Sequence, residues 1–268
     1  MKKIKKALKA VRAVIKNPWL LNHVLSDDGL WKDYLAQHHY PVKGLPVVEP
    51  DTLFPRFSES LGYFSFLDGG SLPTDIALLK MLAKRFKDCR YFEVGTWRGE
   101  SVANVADVAA RCFTLNFSPK EMLEKGFDEK YVDMHGFFSK GRENITHLEG
   151  NSQTFDFAGL HQKFDLIFID GDHHYASVKK DTENVFGHLV HVKSVVVWHD
   201  YAYHPEKFRP EVFAAIWEGV PVEKRKSLVH VANTLCAVYL PETVEVHSME
   251  APVKPRVNFK ITIKTEKI

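Results

Sequence analysis

The chain has 268 residues, 45% hydrophobic and 26% charged, enough apolar material to bury a core, which excludes a disordered chain as the default. Its 36 basic and 34 acidic side chains leave a net charge of +2. That balance gives no electrostatic reason to expect nucleic acid as a partner. The three cysteines, Cys89, Cys112 and Cys236, show no CxxC pair and no zinc spacing, and read as buried thiols in a reducing cytoplasm.

Residues 1–70 read as a helical and irregular extension. Lys2, Lys3, Lys5, Lys6, Lys9, Arg12 and Lys16 alternate with Ile4, Leu8, Val11 and Ile15. Those four apolar residues recur at three- and four-residue steps, so they share one face of a helix. No apolar run has signal-peptide length and no stretch is long enough to span a bilayer. Such a helix could touch an anionic membrane surface or pack its stripe on the domain or a second subunit; packing is the expectation. Pro41, Pro46, Pro50 and Pro55 then argue for extended, irregular chain. Phe54, Phe57, Tyr63, Phe64 and Phe66 make the stretch aromatic, so it should pack on the domain that follows.

From residue 71 strand and helix alternate. Helix is expected over 73–86, strand over 90–95, helix over 101–110 and strand over 112–117. Residues 120–140 are polar and helical in part. Strands follow at 145–148 and 164–170, the latter reading FDLIFID, then a helix at 176–189, a strand at 194–198 and a helix at 210–217. Alternation of this kind calls for a mostly parallel sheet covered on both faces. Strands at 228–232 and 235–240, separated by Asn233 and Thr234, should close it as an antiparallel hairpin. The fold expected is α/β: a doubly wound, mostly parallel, seven-stranded Rossmann-like sheet over 71–240. A tail, 241–268, alternates over 257–265 and could add an edge strand.

The first motif is Glu93-Val-Gly-Thr-Trp-Arg-Gly-Glu-Ser101, where a strand ends and a helix begins. Gly95 lets the backbone turn sharply and Gly99 permits close approach of a ligand. In a doubly wound sheet cofactors bind at this crevice. The Gly-x-x-x-Gly spacing is not that of dinucleotide binders. The carboxylate of Glu93 could accept hydrogen bonds or offset positive charge near a sulfonium; a strand–helix turn with no ligand is the alternative.

A second constellation gathers Asp170, Asp172, His173, His174, His199 and Asp200 at the ends of two strands that should be neighbours. Two carboxylates and an imidazole could hold a divalent cation, Mg2+ or Mn2+, with the imidazole favouring Mn2+ or Fe2+. Alternatively these acids bind solvent and cap the next helix.

EVGTWRGES resembles motif I of class I S-adenosylmethionine-dependent methyltransferases, especially small-molecule O-methyltransferases of the catechol and macrocin type. Gly150-Asn-Ser-Gln153, Phe164–Tyr175 and Val195–Tyr201 resemble, in order, that family's later blocks, the first of which meets the adenine. The resemblance covers roughly 73–240. It implies that Glu93, Gly95, Thr96, Gly99, Ser101, Asn116, Ser152, Gln153 and Asp170 hold S-adenosylmethionine. Asn116 stands where the family usually has an acid on the ribose, and an amide loses the strength of a charged acceptor. The resemblance also implies Asp170 and Asp200 as metal ligands, His199 taking the place of the usual acid or amide. His173, three residues after Asp170, matches a histidine thought to take the acceptor's proton in sugar methyltransferases, and a pKa near neutrality suits that work.

The expectation is therefore a cytoplasmic, homo-oligomeric O-methyltransferase acting on a small-molecule or sugar hydroxyl, with Asp170 and His173 at the reacting centre. A nucleotide-binding oxidoreductase, or a binding protein with a decayed cofactor site, are the alternatives from other classes.

Overall fold

The computed structural model describes residues 2–25, 27–250 and 252–267. The chain begins with helices α1 (Lys2–Lys16), α2 (Leu20–Leu25) and α3 (Asp28–Gln37), then strand β1 (Val47–Val48) and one turn of helix, α4 (Pro50–Leu53). There follow α5 (Pro73–Ala83), β2 (Arg90–Val94), α6 (Glu100–Val105), β3 (Arg111–Asn116), α7 (Pro119–Glu124), α8 (Glu129–Met134), β4 (Ile145–Glu149) and β5 (Phe164–Ile169). The last part runs α9 (Tyr175–His188), β6 (Val190–Trp198), β7 (Ala202–His204), β8 (Lys207–Phe208), α10 (Pro210–Gly219), β9 (Leu228–Val231) and β10 (Ala237–Tyr239).

The main sheet has eight strands in the order β1-β9-β10-β6-β5-β2-β3-β4. All pairings are parallel except those of β10, which runs against both β6 and β9. The expected seven strands and closing hairpin are there, and the eighth strand is a correction. Val47 and Val48, inside the proline-rich stretch read as irregular, pair in parallel with His230 and Val231. The flanking prolines, Pro46 and Pro50, limit the strand to two residues. The hairpin loop is also longer than two residues, since β9 ends at Val231 and β10 starts at Ala237. In the interval Thr234 Oγ1 donates to the Val231 carbonyl at 2.7 Å and Asn233 takes a positive φ of 63°.

The strands bury side chains on both faces, which is why they read as continuous apolar runs. Phe92, Val94, Ile167, Ile169 and Trp198 face α9 and α10, meeting Val178, Val185, Phe213 and Ile216. Tyr91, Leu166, Phe168, Val195 and Val197 face α5 and α6, meeting Leu78, Leu79, Leu82, Val102 and Val105. The helix expected over 101–110 is short: α6 stops at Val105. Residues 120–140 hold two one-to-two-turn helices, each opened by a side-chain cap, Ser118 with Glu121 and Asp128.

The expected tail strand over 257–265 does not form; among the described residues that segment carries no strand. The sheet edge it would join is the two-residue β1, too short to template a ladder, and the tail meets it at a single bridge, Val47 with His247. Ile261 and Ile263 stay exposed.

Parts of the first seventy residues are fastened to the body by polar contacts. Gly62 N donates to Asn104 Oδ1 at 2.9 Å, Asn104 Nδ2 donates to the Tyr63 carbonyl, and Ser65 N donates to Glu100 Oε1 at 2.6 Å. Helix α3 is anchored by Glu218 of α10, which accepts from Tyr34 Oη at 2.6 Å, Tyr175 Oη at 2.5 Å and Lys179 Nζ at 2.9 Å. Burial alone would raise the Glu218 carboxyl, but those three donors outweigh it and hold its pKa at about 2. Helix α1 is different: it buries no residue on the body, so the expected packing of its apolar stripe on the domain is not what the structure has.

Glu218→Ala should strip the acceptor from three donors at once. Hydrogen bonds to a charged group contribute about 1.5–3 kcal/mol each, not additively. We expect a loss of about 2 kcal/mol and a melting temperature lower by roughly 4–8 °C in a chain of this size. An unchanged melting curve would show that α3 is held by its apolar contacts alone.

Candidate active site at the strand ends

The turn after β2 departs from the extended conformation at three residues in close succession. Gly95, Trp97 and Gly99 take φ of 91°, 41° and 77°. Positive φ costs glycine little, but a bulky residue such as Trp97 pays for it. The turn is fixed from below: Gly95 N donates to the Leu115 carbonyl at 2.9 Å, Gly99 N to the Thr96 carbonyl at 2.7 Å, and the Thr96 and Thr114 hydroxyls meet at 2.6 Å. It is fixed from outside by the turn at 136–138, whose Gly136 N and Phe138 N donate to the carbonyls of Trp97 and Arg98.

Both motif glycines are close-approach positions, and the approaching groups are the chain's own. A Cβ on Gly95 would lie 2.1 Å from the Asp170 carbonyl oxygen, and one on Gly99 would lie 2.3 Å from Ser139 Oγ. Glu93 points away from the crevice. Its side chain shares a strand face with Tyr91, accepts from Tyr91 Oη at 2.5 Å and sits beneath α6 near Ser101. Complete burial raises the Glu93 carboxyl to about 8 despite that hydrogen bond, so it is mostly neutral at pH 7.

The other residues read as cofactor-binding lie along the open ends of β3 and β4. Asn116 ends β3 half-buried, and its carbonyl receives Gly150 N at 2.8 Å, which ties the two strand ends together. The Gly150–Gln153 block is fastened to α9: Asn184 Nδ2 donates to the Ser152 carbonyl at 2.9 Å and Gln153 Nε2 to Ser177 Oγ at 3.1 Å. Ser177 Oγ in turn donates to Asp172 Oδ2 at 2.7 Å. Asn116, Ser152, Gln153, Gly95 and Asp170 thus border one ledge, whereas Glu93, Thr96 and Ser101 are buried under it.

On the other side of Asp170, β5 and β6 are parallel neighbours, as the spacing required. Asp170, His199 and Asp200 each offer one atom within 4.8 Å of the others. His199 Nδ1 lies 3.0 Å from Asp170 Oδ1 and 3.5 Å from Asp200 Oδ2. Those separations span the edge of a coordination shell with bonds of roughly 2.1 Å. Nδ1 is buried and faces those two carboxylates as ion-pair partners. Nε2 faces Asp75 Oδ2 at 3.3 Å. A carboxylate on the far nitrogen of an imidazole sets the tautomer that leaves Nδ1 free to ligate a metal.

Burial would lower the pKa of His199, but the charge and hydrogen bond of Asp170 outweigh it and hold the imidazole well above its ordinary value. Burial raises Asp170, with His199 opposing. Asp200 is pulled to about 2 against burial by His199 and by Arg209, whose Nη2 stands 3.1 Å from Oδ1.

The two adjacent histidines are held differently. His174 Nδ1 lies 2.5 Å from Asp172 Oδ1, which engages it at the start of α9. His173 stacks on His174 with centroids 4.8 Å apart.

Three residues here were not found in the sequence. Asp75 carries a readable local signal, since as the third residue of a helix opened by Pro73 it accepts from Leu72 N at 2.7 Å. Nothing local says that it also reaches a histidine 124 positions away. Arg209 has no motif around it. Trp97 was quoted within the motif, but its ring packs on Tyr131 at 4.5 Å and on His135 at 5.2 Å, contacts that only the fold supplies.

Comparison with known proteins agrees with this geometry. Residues 92–201 match a family described as a methyltransferase domain. A search of curated proteins finds no match. Among solved structures, the chain is similar to the O-methyltransferase from Bacillus cereus in complex with SAH, with 15% identity over 65% of this chain and 84% of that one and a TM-score of 0.46. It is also similar to the SAH-bound methyltransferase PaMTH1 of Podospora anserina, with 16% identity over 66% and 82% of the two chains and a TM-score of 0.43. The matched segment runs from β2 through β6 to Tyr201 and includes both motifs and the trio at Asp170. Residues 92–201 are thus similar to a methyltransferase domain.

The buried acid of the motif supplies a test of this geometry. With a folded pKa near 8 against an ordinary 4.5, Glu93 binds its proton more tightly in the folded state. Its contribution is therefore full below about pH 4.5 and is lost as pH rises through about 8. Glu93→Gln fixes the neutral form. Denaturant unfolding of both chains from pH 5 to 8 should show wild-type stability declining relative to the variant as pH rises. A constant difference would mean that Glu93 is ionised throughout.

Proposed function

We propose that the chain is an O-methyltransferase for a small-molecule hydroxyl, sugar-like or catechol-like, assisted by a divalent cation held by Asp170, His199 and Asp200. The observation that carries this reading is the trio itself: two carboxylate oxygens and one buried imidazole nitrogen converging beside the turn of the glycine motif.

Bound S-adenosylmethionine supplies an electrophilic methyl group, and a cation at the trio, Mg2+ or Mn2+, would supply Lewis acidity toward the acceptor. The residues of the chain do the rest. Gly95 and Gly99 shape the turn on which the cofactor lies, with Asn116 toward the ribose and Ser152 and Gln153 toward the adenine. Asn116 gives one donor and one acceptor, without the charge that an acid would bring. Asp170 stands between cofactor and acceptor and holds both in register, which matters because methyl transfer needs nucleophile, carbon and sulfur nearly in line. His173 takes the acceptor proton; His174 is fastened to Asp172, which supports His173 over its neighbour. Asp75 orients His199 and does not touch substrate. The three cysteines are free and buried, which supports a reducing, cytoplasmic setting.

Turnover with an identified acceptor should be lost in excess EDTA and restored by Mg2+ or Mn2+; full activity in EDTA would exclude the cation. Asp200→Ala should remove most turnover while leaving S-adenosylhomocysteine affinity nearly intact. His173→Ala should lower turnover by about 10²–10⁴-fold with partial recovery at higher pH, and a wild-type rate would move the role to His174. Asp75→Asn should weaken Mn2+ binding, read by electron paramagnetic resonance, by about 10–100-fold. Unchanged Mn2+ affinity would leave Asp75 as a helix cap alone.

A further inference from the structure

Helix α1 presents an unpartnered face whose chemistry is two-sided. Ile4, Leu8, Val11 and Ile15 fall within one narrow stripe at helical spacing, and they are 67%, 59%, 56% and 73% exposed. The opposite side carries Lys2, Lys5, Lys6, Lys9, Arg12 and Lys16, and the helix contains no acidic residue. The apolar surface continues past the helix end through Trp19, Leu21, Val24 and Leu25, each at least 46% exposed. Exposed apolar side chains in such a contiguous run mark a surface that meets something.

Charge decides what that something is. The whole chain has a net charge of only +2, while α1 alone holds seven cations. The remainder of the chain is therefore net acidic, and the positive charge is concentrated beside the exposed apolar stripe. Pairing α1 with α1 of a second copy would face seven cations with seven and no counter-charge. An anionic lipid surface satisfies both sides of the helix together: acyl chains take the stripe and headgroups take the lysines.

We propose that α1 docks the enzyme on an anionic membrane surface, lying in the plane of the interface without crossing it. The inference is independent of the acceptor and cation assigned above.

Co-sedimentation of the full chain with phosphatidylcholine vesicles, with and without phosphatidylglycerol, tests it. The chain should pellet with the anionic vesicles, release in high salt and ignore the neutral ones. Lys5→Gln, Lys6→Gln and Lys9→Gln combined should weaken binding at least about tenfold. Ile4→Ser with Leu8→Ser should abolish it, with S-adenosylhomocysteine affinity unchanged in both as a check on the body. Absence of binding to anionic vesicles, or equal binding to neutral ones, would overturn the proposal. A dimer that dissociates when residues 2–16 are removed, in a chain that ignores vesicles, would assign the face to a second copy and overturn it equally.

Discussion

The site depends on one close approach, that of the turn after β2 to the end of β5. Asp170 N donates to the Val94 carbonyl at 2.8 Å, and a side chain on Gly95 would lie only 2.1 Å from the Asp170 carbonyl oxygen. Only a residue without Cβ, at a φ of 91°, lets the two strand ends close to this distance. Because they close, Asp170 stands at once beside the turn of the glycine motif and opposite His199 on the next strand. A wider gap would separate the turn after β2 from the trio of Asp170, His199 and Asp200.

Around that approach the electrostatics are arranged by strand order. Asp75, Asp170 and Asp200 surround the imidazole of His199, and Arg209 takes the remaining oxygen of Asp200. Carboxylates crowded at this depth would repel one another without a cation among them. The imidazolium supplies that charge in the chain alone, and a divalent ion is the other species that could. The same crowding explains why His199 belongs where a third acid or an amide would otherwise stand: one nitrogen can face the trio while the other is fixed by Asp75.

Much of this was legible in the sequence because it is local or periodic. Apolar runs such as FDLIFID mark strands buried on both faces, and the order of four short motifs fixes which strand ends are neighbours. The turn glycines and the Asp170, His199 and Asp200 trio follow from that order. What escaped is non-local or marginal. Val47–Val48 is too short for period-two alternation and is masked by its prolines. Asp75 looks like a helix cap and becomes a histidine partner only through the fold. The stretch 257–265 has strand-like alternation but finds no edge long enough to pair with, so pattern without a partner yields no strand. Glu93 was readable as the acid of the motif, but not its direction, since strand parity turns it away from the crevice and under α6.

Calorimetric titration of Gly95→Ala with S-adenosylhomocysteine, and separately with Mn2+, tests the dependence on the Gly95–Asp170 approach most directly, with circular dichroism to establish that the variant is folded. Both affinities should fall together, by at least about tenfold each, an energy of about 1.4 kcal/mol or more. Wild-type affinity for both ligands in the folded variant would contradict the claim that this single contact sets the proposed cofactor turn and the proposed cation site in register.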